Sequence, residues 1–200
     1  PLSEETGIIV SLGEWILREA LSRMRAWHAS GIELDYISVN ISAVQLAQPD
    51  FPDRVIALLR ECGVPGRKLQ IELTENVLMR DIELCSWVLT HLREHGIRVA
   101  IDDFGTGYSS LSYLKQLPID NLKIDRSFVQ DIPGDPNDCA IAAAVIGLAR
   151  TLGLDAIAEG IETREQQDYL VRIGCDKMQG YLHARPLPAD AFAAFVTRPQ

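Results

Sequence analysis

Two adjacent carboxylates, Asp102 and Asp103, stand where a short apolar run ends and a glycine-containing segment begins, in Val-Ala-Ile-Asp-Asp-Phe-Gly-Thr-Gly. Two ionised carboxylates side by side repel each other unless a cation or a proton lies between them. A bare Asp-Asp pair is common on solvated loops, but this context favours a divalent-metal site. Because successive strand residues face opposite sides, the chain must bend for both to converge, and we expect Gly105 and Gly107 to permit the bend.

Three further polar residues stand beside apolar runs upstream. Asn40 ends Ile-Ser-Val-Asn, where its amide oxygen suits either a hard metal ligand or a turn cap. Glu72 lies inside Leu-Gln-Ile-Glu-Leu, and a carboxylate in so apolar a strand is costly to bury unless it is paired or metal-bound. Glu75, three residues later, is interpreted as a helix-capping or loop-anchoring carboxylate.

Downstream, Lys123 and Asp125 alternate with apolar residues, so both should point to one face of a strand. They form either a structural ion pair or a group that stabilises a transition-state phosphate and positions water. Glu159 is a strand-end carboxylate that suits a metal ligand or a proton acceptor, and we expect Glu162 to support it. The side chain of Gln179 has two interpretations. It can form hydrogen bonds with the edge of a guanine or with a metal-bound water, or it can be a buried amide that hydrogen-bonds the backbone.

Two other patterns in the sequence also have possible functional interpretations. The segment Gly105-Thr-Gly107 lacks the third glycine of a dinucleotide-binding fingerprint, and we interpret it as an active-site loop, with a simple surface turn as the alternative. His91-Leu-Arg-Glu-His95 matches a zinc-enzyme pattern. Both histidines fall in the last turns of a predicted helix, where they suit the negative end of the helix dipole, so we do not predict zinc there.

Apolar periodicity predicts that helices and strands alternate along the chain. Predicted helices cover about 12–29, 51–61, 81–95, 111–114, 138–152 and a segment after Pro188; predicted strands cover about 35–41, 69–73, 98–101, 121–124, 156–158 and 176–178. This order is typical of an α/β fold with a parallel sheet, in which polar groups at the carboxyl ends of the strands carry catalysis. The six strands fall short of the eight that a closed barrel needs.

Composition sets the class of protein and of partner. The chain has 200 residues and a formal net charge of −9, which argues against a nucleic-acid polymer or an anionic membrane as partner but allows one phosphorylated ligand held through metals. Neither a long apolar run nor a leader sequence is apparent. The four cysteines are scattered, so we expect reduced thiols in a cytoplasmic protein.

Six segments together resemble a known family in their order and spacing. They are Val-Asn-Ile-Ser (39–42), Glu-Leu-Thr-Glu (72–75), Ile-Asp-Asp-Phe-Gly-Thr-Gly-Tyr-Ser-Ser (101–110), Leu-Lys-Ile-Asp (122–125), Ala-Glu-Gly-Ile-Glu (158–162) and Met-Gln-Gly-Tyr (178–181). The chain resembles the EAL-domain phosphodiesterases, bacterial hydrolases of cyclic di-GMP. The resemblance implies a TIM-like (β/α) barrel, N-terminally truncated, with about six parallel strands present and a single domain over residues 1–200.

The same resemblance implies roles for the residues above. Two Mg²⁺ or Mn²⁺ ions would be held by Asn40, Glu72, Asp102, Asp103 and Glu159, with Asp102 shared between them. Lys123 and Asp125 would orient the attacking water, and cyclic di-GMP would be opened to linear pGpG. The family also implies a homodimer formed near residues 109–116.

The Glu-Ala-Leu motif that names the family is interpreted as absent, together with an arginine that follows it. We therefore expect either a fragment or a naturally shortened relative, poorly active by itself, whose parent protein can be membrane-anchored. Two alternatives stay open: a non-catalytic cyclic di-GMP receptor or regulatory domain, and another metal-dependent barrel acting on a small phosphorylated metabolite.

Overall fold

A computed structural model describes residues 7–107 and 114–197, over which strands and helices alternate. The strands are β1 (Ile37–Asn40), β2 (Leu69–Thr74), β3 (Arg98–Phe104), β4 (Asn121–Ile124), β5 (Asp155–Glu159) and β6 (Lys177–Gln179). The helices are α1 (Ile8–Ala29), α2 (Ala43–Leu46), α3 (Phe51–Cys62), α4 (Glu75–Arg80), α5 (Ile82–Glu94), α6 (Pro136–Leu152), α7 (Arg164–Arg172) and α8 (Ala189–Val196). Short 3₁₀ turns cover Gly66–Lys68 and Arg126–Phe128.

These elements confirm the predicted parallel α/β fold of six strands. The predicted strands all form, and β3 continues beyond Ile101 to Phe104. Helix α1 begins at Ile8, earlier than predicted, while α2, α4 and α7 were not predicted. The expected helix near 111–114 and most of the expected dimer segment fall on residues 108–113, outside the described residues. Within the described part of the chain, no helix has the length and apolarity needed to span a bilayer.

Side-chain caps and left-handed residues explain several helix ends. Asp81 accepts a hydrogen bond from the Leu84 amide at 3.0 Å and so starts α5. Gly63, with φ of 66°, closes α3 in the left-handed conformation that glycine adopts without a steric penalty. Such exact ends matter because each helix must return the chain to the next strand in register.

The described residues divide into two compact units, and the first comprises residues 7–73, 81–99 and 187–197. In this unit β1 pairs in parallel with β2, from Ile37 opposite Leu69 to Asn40 opposite Glu72. Its core includes the fully buried side chains Leu21, Leu69, Ile71, Leu89 and Leu92.

Among the described residues, the second unit comprises 74–80, 100–107 and 114–186. Here β3, β4, β5 and β6 are neighbours in that order, and each pair is parallel. Its core includes the fully buried side chains Leu122, Ile124, Ile161 and Leu170. Parallel pairing brings the carboxyl ends of these four strands to one edge, and Asp102, Asp103, Asp125, Glu159 and Gln179 lie in or just after these end segments.

Candidate metal and catalytic site

The bend that brings the adjacent aspartates together lies at Asp103 itself. Its φ is 53°, and the β3–β4 register shifts between Ile101 and Phe104. A bulge of this kind re-aims side chains, and Asp tolerates the left-handed region better than most residues do. The bulge turns the chain at Asp103, and Gly105 follows with φ of 100°, a conformation that glycine adopts readily, so its expected part in the bend stands beside that of the bulge.

The bulge contributes to an acidic cluster at the ends of β3 and β5. One carboxylate oxygen from each of Asp102, Asp103 and Glu159 lies within 4.8 Å of the other two. All three residues are buried or half-buried. Three hard oxygen donors at this separation suit a divalent cation such as Mg²⁺ or Mn²⁺.

Lys123 of β4 places its ammonium group between two members of this cluster. Its Nζ lies 2.9 Å from Asp102 Oδ1 and 2.7 Å from Glu159 Oε1, and its side chain is 5% exposed. The sequence interpretation expected a structural ion pair between Lys123 and Asp125, whereas the ion pairs observed for Lys123 are with Asp102 and Glu159. A buried lysine paired in this way offsets their repulsion and fixes their spacing.

Asp103 and Asp125 have pKa values shifted in opposite directions. Burial, followed by repulsion from Asp102 and Asp125, raises the pKa of Asp103 above its ordinary value. Burial also acts to raise the pKa of Asp125, but hydrogen bonds from the side chain and amide of Ser127 outweigh it and lower the pKa. The opposite shifts reflect different surroundings, because Asp103 faces two other carboxylates whereas Asp125 accepts hydrogen bonds from Ser127.

Glu75 holds the glycine segment that follows the aspartates. It is almost fully buried, and its Oε2 accepts a hydrogen bond from the Gly105 amide at 3.1 Å. A Cβ at position 107 would lie 2.5 Å from Glu75 Oε1, so a larger residue there would displace the Glu75 carboxylate. Within the described residues this Oε1 has no hydrogen-bond partner. The contact with Gly105 is of the loop-anchoring kind expected from the sequence.

Glu162 and Gln179 differ from their expected surroundings. Glu162 Oε1 accepts a hydrogen bond from Arg126 Nη2 at 2.8 Å, so its observed partner is this arginine, which sequence reasoning missed, and not Glu159. Gln179 lies opposite Glu159 in the β5–β6 pairing and is exposed, which excludes the buried-amide interpretation. Both side chains are therefore at the rim of the strand ends rather than beneath them.

In the first unit, Asn40 and Glu72 are register partners on β1 and β2. Glu72 is 6% exposed, and its Oε1 accepts a hydrogen bond from Gln70 Nε2 at 3.2 Å. The same Nε2 lies 3.0 Å from Ser38 Oγ. Gln70 was missed, although polar residues at 38, 40, 70 and 72 repeat at the two-residue spacing of one strand face.

The histidine pattern on α5 is a surface feature. The rings of His91 and His95 stack with centroids 5.5 Å apart, and His91 Nε2 lies 3.7 Å from Asp53 Oδ1. The Nδ1 of His95 is 3.1 Å from the backbone oxygen of His91. The two histidines therefore contact each other, Asp53 and the backbone of their own helix.

The letters Glu-Ala-Leu do occur in the chain, at residues 19–21, but inside helix α1. There Glu19 pairs with Arg23 at 2.7 Å, one helical turn away, and Leu21 is fully buried. This tripeptide is a stretch of amphipathic helix and does not end a strand, so it is not the motif of the family.

Comparisons with known proteins agree with the family resemblance suggested by the order of the sequence motifs. A family model described as "EAL domain" matches residues 1–186. The bifunctional diguanylate cyclase/cyclic di-GMP phosphodiesterase MucR of Pseudomonas aeruginosa is 47% identical over 197 residues, which cover 98% of this chain and 29% of that protein. The cyclic di-GMP phosphodiesterase NbdA of the same organism is 43% identical, over 98% of this chain and 25% of that protein. The chain thus spans between a quarter and a third of these relatives.

Solved structures give the same result at the level of fold. The structure described as "PaMucR Phosphodiesterase, c-di-GMP complex" matches with a TM-score of 0.93 and 45% identity, covering 96% of this chain and 78% of that one. The EAL domain of Mycobacterium smegmatis DcpA matches with a TM-score of 0.87 and 42% identity, covering 92% and 83%. The likeness confirms the prediction of a TIM-like barrel fold.

Proposed function

The chain belongs to the EAL-domain family, and we propose that it hydrolyses cyclic di-GMP to linear pGpG in bacterial second-messenger signalling. The observation that carries the proposal is the acidic cluster of Asp102, Asp103 and Glu159, held around the ammonium of Lys123 at the carboxyl ends of parallel strands. Relatives that are 47% and 43% identical carry names that include this activity.

The donor atoms of the cluster fit divalent metal ions. Three carboxylates lie within 4.8 Å of one another, and a cationic side chain already lies between two of them. Burial and neighbouring charge raise the pKa of Asp103, so the cluster gains from added positive charge. We infer a site for two Mg²⁺ or Mn²⁺ ions, which when bound activate water and stabilise charge in a displacement at phosphorus.

The ligand assignment follows the resemblance to the family. By that resemblance, Asp102, Asp103 and Glu159 would hold metal, and Asn40 and Glu72 would also serve as metal ligands. Lys123 keeps the spacing of two of these carboxylates and supplies positive charge where phosphate charge develops. Asp125, whose charge helps to raise the pKa of Asp103, would with Lys123 orient the attacking water.

The remaining assigned residues act on the loop and the rim. Glu75 holds the Gly105 amide, and Gly107 admits the Glu75 carboxylate, so that the segment after Asp103 keeps its position. Gln179 extends from the rim, where its amide can meet the substrate. Glu162 acts indirectly, because it holds the side chain of Arg126.

Turnover by the purified chain tests the proposal. Cyclic di-GMP is incubated with the protein and Mg²⁺ or Mn²⁺, and products are separated by chromatography, with EDTA as the metal-free control. We expect pGpG to accumulate slowly. The resemblance to the family implies that the glutamate of the Glu-Ala-Leu motif is also a metal ligand, and the sequence of this chain does not contain that motif at a strand end. Glu159→Gln should abolish turnover, while Glu165→Gln, an exposed change on α7, should not.

Two results would refute the enzyme assignment. Saturable binding of cyclic di-GMP without any pGpG under either metal would make the chain a receptor. Indifference to cyclic di-GMP, in both binding and turnover, would point to another phosphorylated substrate.

The assembly and the location complete the proposal. The protein is proposed to act as a cytoplasmic homodimer, without direct contact with a membrane or a nucleic-acid polymer. Its net charge of −9 supports the last point, because phosphate backbones attract basic surfaces. Light scattering during gel filtration measures the mass in solution, and a monomer at all concentrations would contradict the dimer.

A further inference from the structure

A buried glutamine, Gln166, joins the loop after β4 to the loop after β5. It lies in the first turn of α7, and only 4% of the residue is exposed. Its Oε1 accepts hydrogen bonds from the amides of Glu162 at 2.7 Å and Thr163 at 2.9 Å. Its Nε2 donates to the carbonyl oxygens of Val129 at 3.2 Å and Gln130 at 2.9 Å. These four bonds use the full hydrogen-bonding capacity of a side-chain amide.

Helix capping alone does not account for this arrangement. A capping box requires the Thr163 hydroxyl, which accepts from the Gln166 amide at 3.2 Å, and the return bond from the Thr163 amide to Gln166 Oε1. The bonds to Val129 and Gln130 instead join positions 37 and 36 residues apart in sequence. A glutamate at position 166 would complete the capping box as well, but its carboxylate cannot donate to those carbonyls. The amide is therefore required by the contact between the loops.

The two loops directly follow residues assigned to the site. Asp125 follows the last residue of β4, and Glu159 is the last residue of β5. Gly160 has φ of 70°, and a Cβ there would lie 2.3 Å from Cγ of Arg126. The side chain that follows Asp125 therefore packs against the backbone that follows Glu159. The loops joined by Gln166 thus leave the site side by side.

A second link connects the same loops, but it is exposed to solvent. Arg126 pairs with Glu162 through side chains that are 58% and 44% exposed, so water screens this ion pair. The hydrogen bonds of Gln166 are formed by a side chain that is almost fully buried, where a hydrogen bond is electrostatically stronger. The glutamine is therefore the stronger of the two links.

Resting on the proposed function, we propose that Gln166 is a positioning residue for the hydrolysis of cyclic di-GMP. It acts through the two loops, by fixing the distance between the segments that carry Asp125 and Glu159. Without it the loops keep the screened ion pair, and the two carboxylates lose their fixed relative position. A displacement of about 1 Å at a reacting group can lower a rate about 100-fold.

Steady-state kinetics of the whole chain with cyclic di-GMP and Mg²⁺ test the effect on the reaction. Gln166→Met keeps the length of the side chain but removes its hydrogen bonds, and it should lower kcat about tenfold or more with KM near the parent value. Gln166→Glu should lower kcat similarly, because it cannot donate to the loop after β4. Leu170→Ala, at a fully buried position of the same helix, should lower the melting temperature at least as much but change kcat less than about twofold.

Amide hydrogen exchange in EDTA tests the link between the loops without metal or substrate. In Gln166→Met the amides of Glu162 and Thr163 lose their acceptor, so their exchange should become about tenfold faster. Gln166→Glu keeps this acceptor and should keep both amides protected. Gln167→Met, a change at the next and half-buried position, should exchange like the parent and retain its kcat.

The outcomes separate this inference from the proposed function. A parent chain without turnover overturns the function, and the positioning role falls with it. Turnover by the parent together with a parent-like kcat in Gln166→Met or Gln166→Glu overturns only the positioning role. An equal fall of kcat in Leu170→Ala also overturns it, because general loosening of the fold would then explain the loss. Melting curves confirm that each variant is folded at the assay temperature.

Discussion

Replacing Lys123 by methionine removes the ammonium group that two carboxylates share, while keeping a side chain of similar reach. The change removes the ammonium from between Asp102 and Glu159, whose side chains are 12% and 18% exposed. Removing one partner of a buried ion pair costs about 3 to 5 kcal/mol. Because both carboxylates retain some contact with water, we expect the lower end, about 3 kcal/mol, which lowers the melting temperature of a chain this size by roughly 6 to 12 °C.

Thermal melts at pH 7 in EDTA, followed by circular dichroism, measure this loss. Lys177→Met is the matched control, since Lys177 pairs with Asp155 through side chains that are 42% and 60% exposed. An exposed pair of this kind contributes less than about 1 kcal/mol. MnCl₂ should restore part of the loss in Lys123→Met, because the ion supplies the missing charge. Equal melting temperatures for the two variants would refute the view that Lys123 balances the cluster.

Three further predictions concern single residues. Burial and neighbouring carboxylates raise the pKa of Asp103, so its ionised form destabilises the metal-free fold. Asp103→Asn should therefore raise the melting temperature in EDTA at pH 7. This increase in melting temperature should vanish below pH 3.8, the ordinary pKa of the group, where Asp103 is protonated in both the folded and the unfolded state. Burial raises the pKa of Cys85 to about 11, so little of its thiol is ionised at pH 8. A thiol reagent should therefore modify the half-buried Cys139 before Cys85. Equal rates of modification of the two cysteines in the folded protein would contradict this prediction. Gly180→Ala should lower the melting temperature, because the added Cβ would overlap the backbone of Ile161. Gly147→Ala, inside α6 with open space around it, should raise the free energy of unfolding by about 0.5 to 1 kcal/mol. A higher melting temperature for Gly180→Ala than for Gly147→Ala would contradict both expectations.

The strand ends and much of the acidic cluster were predictable from the sequence. Polar residues that directly follow apolar runs, such as Asp102 and Glu159, are expected in the carboxyl-terminal parts of strands, and parallel strands bring these parts to one edge. Helix α7 was also predictable in principle, because Thr163 and Gln166 form a capping box whose Thr-x-x-Gln spacing is visible in the sequence.

The exact turns and partners were not predictable, because they depend on register between strands distant in sequence. The left-handed conformation of Asp103 follows from the bulge against β4, which no local pattern indicates. The pairing of Lys123 with carboxylates of two other strands, and of Glu162 with Arg126, arises from the same spatial order. The local sequence shows the chemical type of each side chain, whereas the order and register of the strands determine which side chains are in contact.

Titration with Mn²⁺, followed by the loss of the electron paramagnetic resonance signal of the free ion, tests the central claim most directly. The parent chain should bind Mn²⁺ in the presence of cyclic di-GMP, Glu159→Gln should weaken that binding by more than about tenfold, and Glu165→Gln should bind like the parent. Identical binding by the parent and Glu159→Gln would contradict the assignment of the acidic cluster as the metal site.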